Sequence, residues 1–150
     1  MALVYFDSSA LVKLVVEEEG SDVASALWDG CDAALSSRLA YPEVCAALAA
    51  AHRNHDLDDE GYAAAARGWE EFWAATRPVE LTAEVERRAG ELAQERALRG
   101  ADAVHLASML AVESGDLVVA VWDRRLHAGV VAERLLTAPA TLDTRATSDV

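Results

Sequence analysis

Leu3-Val4-Tyr5-Phe6-Asp7-Ser8-Ser9-Ala10-Leu11-Val12 is the stretch whose reading decides the fold. Residues 2–6 form a short apolar run rich in strand formers. Asp7-Ser8-Ser9 then supplies an N-cap, and Leu11, Val12, Leu14 and Val15 recur at helical spacing. A strand running directly into a helix, with an acid at the junction, is half of a β-α-β unit. The rest of the chain repeats that alternation. Ser21-Asp22 opens a short helix through Trp28, Ala33 to Ser36 reads as a second strand, and an alanine-rich helix spans about Leu39 to His52. Pro42 is tolerated only in that helix's first turn, which places Glu43 near its N-terminus. Asp58 to Thr76 is an amphipathic helix with Tyr62, Trp69, Phe72 and Trp73 at helical spacing.

Val79-Glu80-Leu81 is a candidate strand, and Thr82-Ala83-Glu84 starts a helix running to about Leu98. Gly100 breaks the pattern, and Asp102 to Glu113 forms the next helix. Leu117 to Val121 is a continuous apolar run of the kind buried in a parallel sheet, followed by Asp123 and a last helix near Leu126 to Leu136. Strands separated by helices predict a three-layer α/β/α fold on a short, mainly parallel sheet. The expected domain is 1–136, with 137–150 a flexible C-terminal tail.

The 150 residues suit one domain. With 26 acidic against 13 basic side chains, the net charge of -13 repels a phosphate backbone and excludes unspecific nucleic-acid binding. Any work on RNA requires divalent cations to neutralise acids locally. Cys31 and Cys45 form neither a CxxC pair nor a disulfide framework, so a reducing, cytoplasmic setting is expected. Residues 1–6 lack the basic region and cleavage site of a signal peptide, and no apolar run approaches a membrane span.

Asp7 and Asp123 each follow an apolar strand, where ligands sit in open α/β sheets, and Glu43 and Asp102 each lie at a helix start. Singly, each is more ordinarily a helix cap. The surrounding strings change that reading. Residues 5–14 (YFDSSALVKL), 36–44 (SSRLAYPEV), 99–107 (RGADAVHLA) and 122–126 (WDRRL) together resemble, in order and spacing, the four motifs of PIN domains, and specifically of toxins of the VapC type.

That resemblance covers about residues 3–136. It implies that Asp7, Glu43, Asp102 and Asp123 are catalytic and hold magnesium or manganese, with Asp7 and Asp102 as the principal ligands and Ser9 supporting Asp7. It implies a metal-dependent endoribonuclease, the toxin of a type II toxin–antitoxin pair, with RNA as substrate and transfer RNA as a candidate. A cognate antitoxin and a homodimer are the implied partners. Carboxylates packed together stay ionised only where a cation shares the site, and an all-oxygen donor set favours a hard divalent ion over zinc.

Val121 stands where the family usually has Thr or Ser, so a hydroxyl is missing two residues before Asp123. His105 shares a helix face with Asp102 and is read as a hydrogen-bonding residue. Arg38, Trp69 and Trp73 are candidate contacts to substrate or antitoxin. A haloacid-dehalogenase-like phosphatase needs an acid where Ser9 stands, and a receiver domain needs a central phosphoacceptor aspartate and late lysine that are not found. The remaining alternative is a catalytically weak or inactive PIN domain that binds a partner without cutting, for which Val121 and the acidic surface speak.

Overall fold

The computed structural model describes residues 2–142. Five strands form one sheet: β1 (Leu3–Phe6), β2 (Ala33–Ser37), β3 (Arg77–Val79), β4 (Val118–Ala120) and β5 (Leu136–Ala138), in the spatial order β3-β2-β1-β4-β5. Every pairing is parallel. Such a sheet must be covered on both faces, which is why its central strands β1 and β4 are apolar without interruption. In β1, Val4 and Phe6 face a core formed with α1 (Ser8–Val15), α2 (Ser21–Gly30), α3 (Ala40–Arg53) and α4 (Asp59–Ala74). Tyr5 faces the opposite core, formed with α5 (Ala83–Glu95), α6 (Gly100–Ala111) and α7 (Arg124–Ala132). The alternation continues in β4, where Val118 and Ala120 join the first core and Val119 the second. The result is the three-layer α/β/α arrangement.

The chain winds outward from β1 to β2 and β3, then returns to the other side of β1 for β4 and β5. Strand order therefore reverses between β1 and β4, and a crevice opens there beyond the strand ends. Asp7 and Asp123 stand at that reversal. The Asp7 amide donates to the carbonyl of Ala120 at 3.2 Å, tying the two strand ends together.

Several boundaries differ from the sequence reading. The last helix stops at Ala132 instead of Leu136, and Leu136–Ala138 forms the edge strand β5 beside β4. The sheet thus reaches two residues past the expected domain end at 136; residues 143–150 of the expected tail lie outside the described residues. The third strand is Arg77–Val79, earlier than the expected Val79–Leu81. Gly100 opens α6, where a break had been expected.

Helix ends explain part of this. His55, Ala97 and Arg134 adopt left-handed φ of 62°, 51° and 62° just after the C-caps of α3, α5 and α7. At each end the residue after the left-handed one donates back five positions: Asp56 to Ala51, Leu98 to Ala93 and Leu135 to Val130. These stops carry no glycine, so the usual sequence signal is missing.

Candidate active site

Asp7 is 3% exposed and caps α1: its Oδ1 accepts from the Ala10 amide at 2.9 Å, and the Ser9 hydroxyl donates to Oδ1 at 2.7 Å and Oδ2 at 2.9 Å. The support expected from Ser9 is therefore direct. Burial pushes the Asp7 carboxyl up from its ordinary 3.8 to about 6. Charge on His105 and the bonds from Ser9 and Ala10 oppose the rise, and the negative charge of Asp123 adds to it.

Glu43 lies in the first turn of α3 and is partly buried. Its Oε1 accepts from the Ser8 hydroxyl at 2.6 Å and bonds to Nε2 of His105 at 2.6 Å. Burial raises its pKa, but those two bonds and the charge of His105 outweigh it, holding Glu43 below the ordinary carboxylate value. His105, one turn after Asp102 on α6, is 2% exposed. Its Nδ1 meets the Tyr5 hydroxyl at 2.7 Å, and that hydroxyl accepts from the Ser37 amide at 3.1 Å. Burial keeps the Tyr5 phenol protonated far above its usual range. A chain Ser37–Tyr5–His105–Glu43 thus runs from β2 through β1 and α6 to α3, fixing the Glu43 carboxylate from behind.

Asp102 sits in the first turn of α6, and its pKa is raised by burial and then by Asp123; Glu43 adds to the rise, and His105 and Arg99 oppose it. Asp123 is exposed and caps α7, its Oδ1 accepting from the Leu126 amide at 2.9 Å. Repulsions couple Asp7 to Asp123, Asp102 to Asp123 and Asp102 to Glu43, so each of the four acids feels at least one of the others. Among the described residues no three His, Cys, Asp or Glu side chains converge into a ready-made cage. The donor set fits a hard cation that keeps much of its water, as magnesium does, because every offered atom is oxygen and the acids repel one another without one.

The structure adds Ser8 and Tyr5 to the residues singled out from sequence. Ser8 was masked by its neighbour: two serines follow Asp7, and only position 9 matches the family's small polar site. Val121 is fully buried in the core on the α5–α6 side. Arg38 is half-exposed and paired with Glu80 at 2.7 Å. Trp69 requires a correction as a contact residue. It is 1% exposed, with Tyr41 at 6.0 Å and Trp73 at 5.5 Å between ring centroids, so it belongs to the core. Trp73, only partly buried, remains available at the surface.

The three-layer arrangement on a parallel sheet that reverses beside β1 is that of a PIN domain, and the PIN domain family model matches residues 4–128; the chain belongs to that family. It is 71% identical over 143 residues to Ribonuclease VapC45 of Mycobacterium tuberculosis strain CDC 1551, covering 95% of this chain and 99% of that one. The same figures hold for Ribonuclease VapC49 of strain H37Rv. The crystal structure of PAE2754 from Pyrobaculum aerophilum is alike with a TM-score of 0.63 at 23% identity, over 92% of this chain and 85% of that chain, a likeness of fold.

Proposed function

We propose that this chain is a magnesium- or manganese-dependent endoribonuclease and the toxin of a type II toxin–antitoxin pair. The observation that carries the reading is the electrostatic coupling of Asp7, Glu43, Asp102 and Asp123 at the crevice beyond β1 and β4. The ribonuclease names of relatives 71% identical over nearly the whole chain support it.

Asp7 and Asp102 are the principal ligands, and Glu43 and Asp123 complete one or two ion positions, partly through water. Glu43 anchors itself through Oε1 and Asp123 through Oδ1, so the second oxygen of each is the one to offer. When bound, the divalent ion supplies positive charge at the phosphodiester oxygens and lowers the pKa of water. Ser9 keeps the Asp7 carboxylate in one orientation. His105, braced by Tyr5, keeps Glu43 ionised and aimed, as supports behind a ligand commonly do. Arg38 and Trp73 are candidate contacts to RNA or antitoxin, Arg38 by exchanging its exposed pair with Glu80 for a phosphate.

A cytoplasmic location suits RNA as substrate and the unpaired Cys31 and Cys45, and among the described residues no helix is long and apolar enough to cross a membrane. An antitoxin that covers the acidic crevice and a homodimer complete the assembly, and transfer RNA is the first substrate to try. The test is incubation of purified protein with total cellular RNA and manganese. Discrete cleavage products that vanish with chelator and in an Asp7→Asn variant are expected; intact RNA, or cleavage undiminished in that variant, would sink the proposal and leave a partner-binding PIN domain.

A further inference from the structure

A cavity of about 410 Å³ is bordered by Lys13, Glu19, Gly20, Asp22 and by Trp122 and Arg124, the residues on either side of Asp123. Its size is that of a small-ligand site. Trp122 immediately precedes Asp123 and extends the side-chain alternation of Val118 and Ala120, so its indole lies on the α1–α2 side of the sheet. It is only partly buried.

Two features hold the ring in place. Gly20, with φ of 90°, brings bare backbone against it: a Cβ there would stand 2.8 Å from Trp122 Nε1. The Lys13 ammonium sits 5.1 Å from the ring centroid and is itself fixed by Glu18 Oε1 at 3.0 Å and the Glu19 carbonyl at 2.7 Å. A rigid, partly open aromatic face one residue from a catalytic acid is a stacking platform. The chain's charge of -13 makes phosphate contacts a poor source of affinity, which leaves base contacts to supply it.

Resting on the nuclease reading above, we propose that this cavity receives one unpaired RNA base, stacked on Trp122, and that Asp22 reads it. Asp22 is exposed in the first turn of α2 and borders the cavity. A carboxylate only accepts hydrogen bonds. Guanine alone presents two adjacent N–H donors on its Watson–Crick edge, so the pocket prefers guanine.

The test measures manganese-dependent cleavage of short single-stranded RNA oligonucleotides that differ only in the base flanking the cleaved bond. Trp122→Leu is expected to raise KM about ten-fold or more, with a smaller effect on kcat and unchanged manganese affinity, and Trp122→Phe to restore KM. Asp22→Asn, at an exposed site, is expected to remove the preference for guanine. An unchanged KM in Trp122→Leu, an equal loss of manganese binding there, or a base preference untouched by Asp22→Asn would overturn the pocket while leaving the nuclease reading standing. Wild-type protein that neither cuts nor binds these oligonucleotides would overturn both.

Discussion

Asp7 is where function costs the fold something. Its folded pKa of about 6 lies above the ordinary 3.8, so the folded state without metal favours the protonated acid. The stability this gives is fully present below about pH 4 and is lost as pH rises through about 6, a difference of about 3 kcal/mol. Metal-free protein should therefore unfold at lower denaturant concentration at pH 7.5 than at pH 5 through this group, and Asp7→Asn should remove that slope. The variant should also be more stable than wild type at pH 7.5 while being inactive, because asparagine keeps the cap to Ala10 without the buried charge. Equal pH slopes in the two proteins, followed by chemical denaturation, would refute this.

His105 makes the complementary case. Removing it in His105→Ala strips Glu43 and Tyr5 of a partner at 2.6 Å and 2.7 Å, and should lower kcat/KM and manganese affinity by about 10–100-fold. Steady-state kinetics and calorimetry on the variant check it. The family was legible in the sequence because each of the four acids sits in a distinctive local string. His105 could be read as a hydrogen-bonding residue but its partners could not, because Tyr5, Ser8 and Glu43 meet it across separations of 100, 97 and 62 residues.

Elements were legible wherever periodicity or a side-chain cap marked them. Asp7, Asp58, Thr82 and Asp123 each cap the helix that follows, and those helices start close to where the sequence placed them. Ends were less visible, because α5 and α7 stop at left-handed Ala97 and Arg134 with no glycine to announce it. Left-handed backbone costs a residue with a Cβ about 1–2 kcal/mol, and both positions are exposed. Ala97→Gly and Arg134→Gly should each raise stability, by at most about 1 kcal/mol after the added freedom of the unfolded chain, as thermal melts would register. A fall in melting temperature in both would contradict the geometry. Strand β5 escaped the sequence reading for a different reason: Leu136-Thr137-Ala138 is too short to display a period, and only its pairing with β4 makes it a strand. Trp69 and Trp73 show the same limit, since helical spacing placed both on one face without telling that the first is sealed and the second partly open.

At the scale of the molecule, the sheet's reversal of strand order brings Asp7 and Asp123 to one crevice in a chain of charge -13, where Glu43 and Asp102 are proposed to join them. Acids that repel one another across elements far apart in the chain are tolerable when a cation joins them, so metal binding and folding are linked. The measurement that tests this most directly is calorimetric titration of manganese into the metal-free wild type and into Asp7→Asn, Glu43→Gln, Asp102→Asn and Asp123→Asn variants. Saturable binding in the wild type, weakened about ten-fold or more in Asp7→Asn and Asp102→Asn and less in the other two, is the predicted result. Manganese affinity indifferent to Asp7 and Asp102 would contradict it.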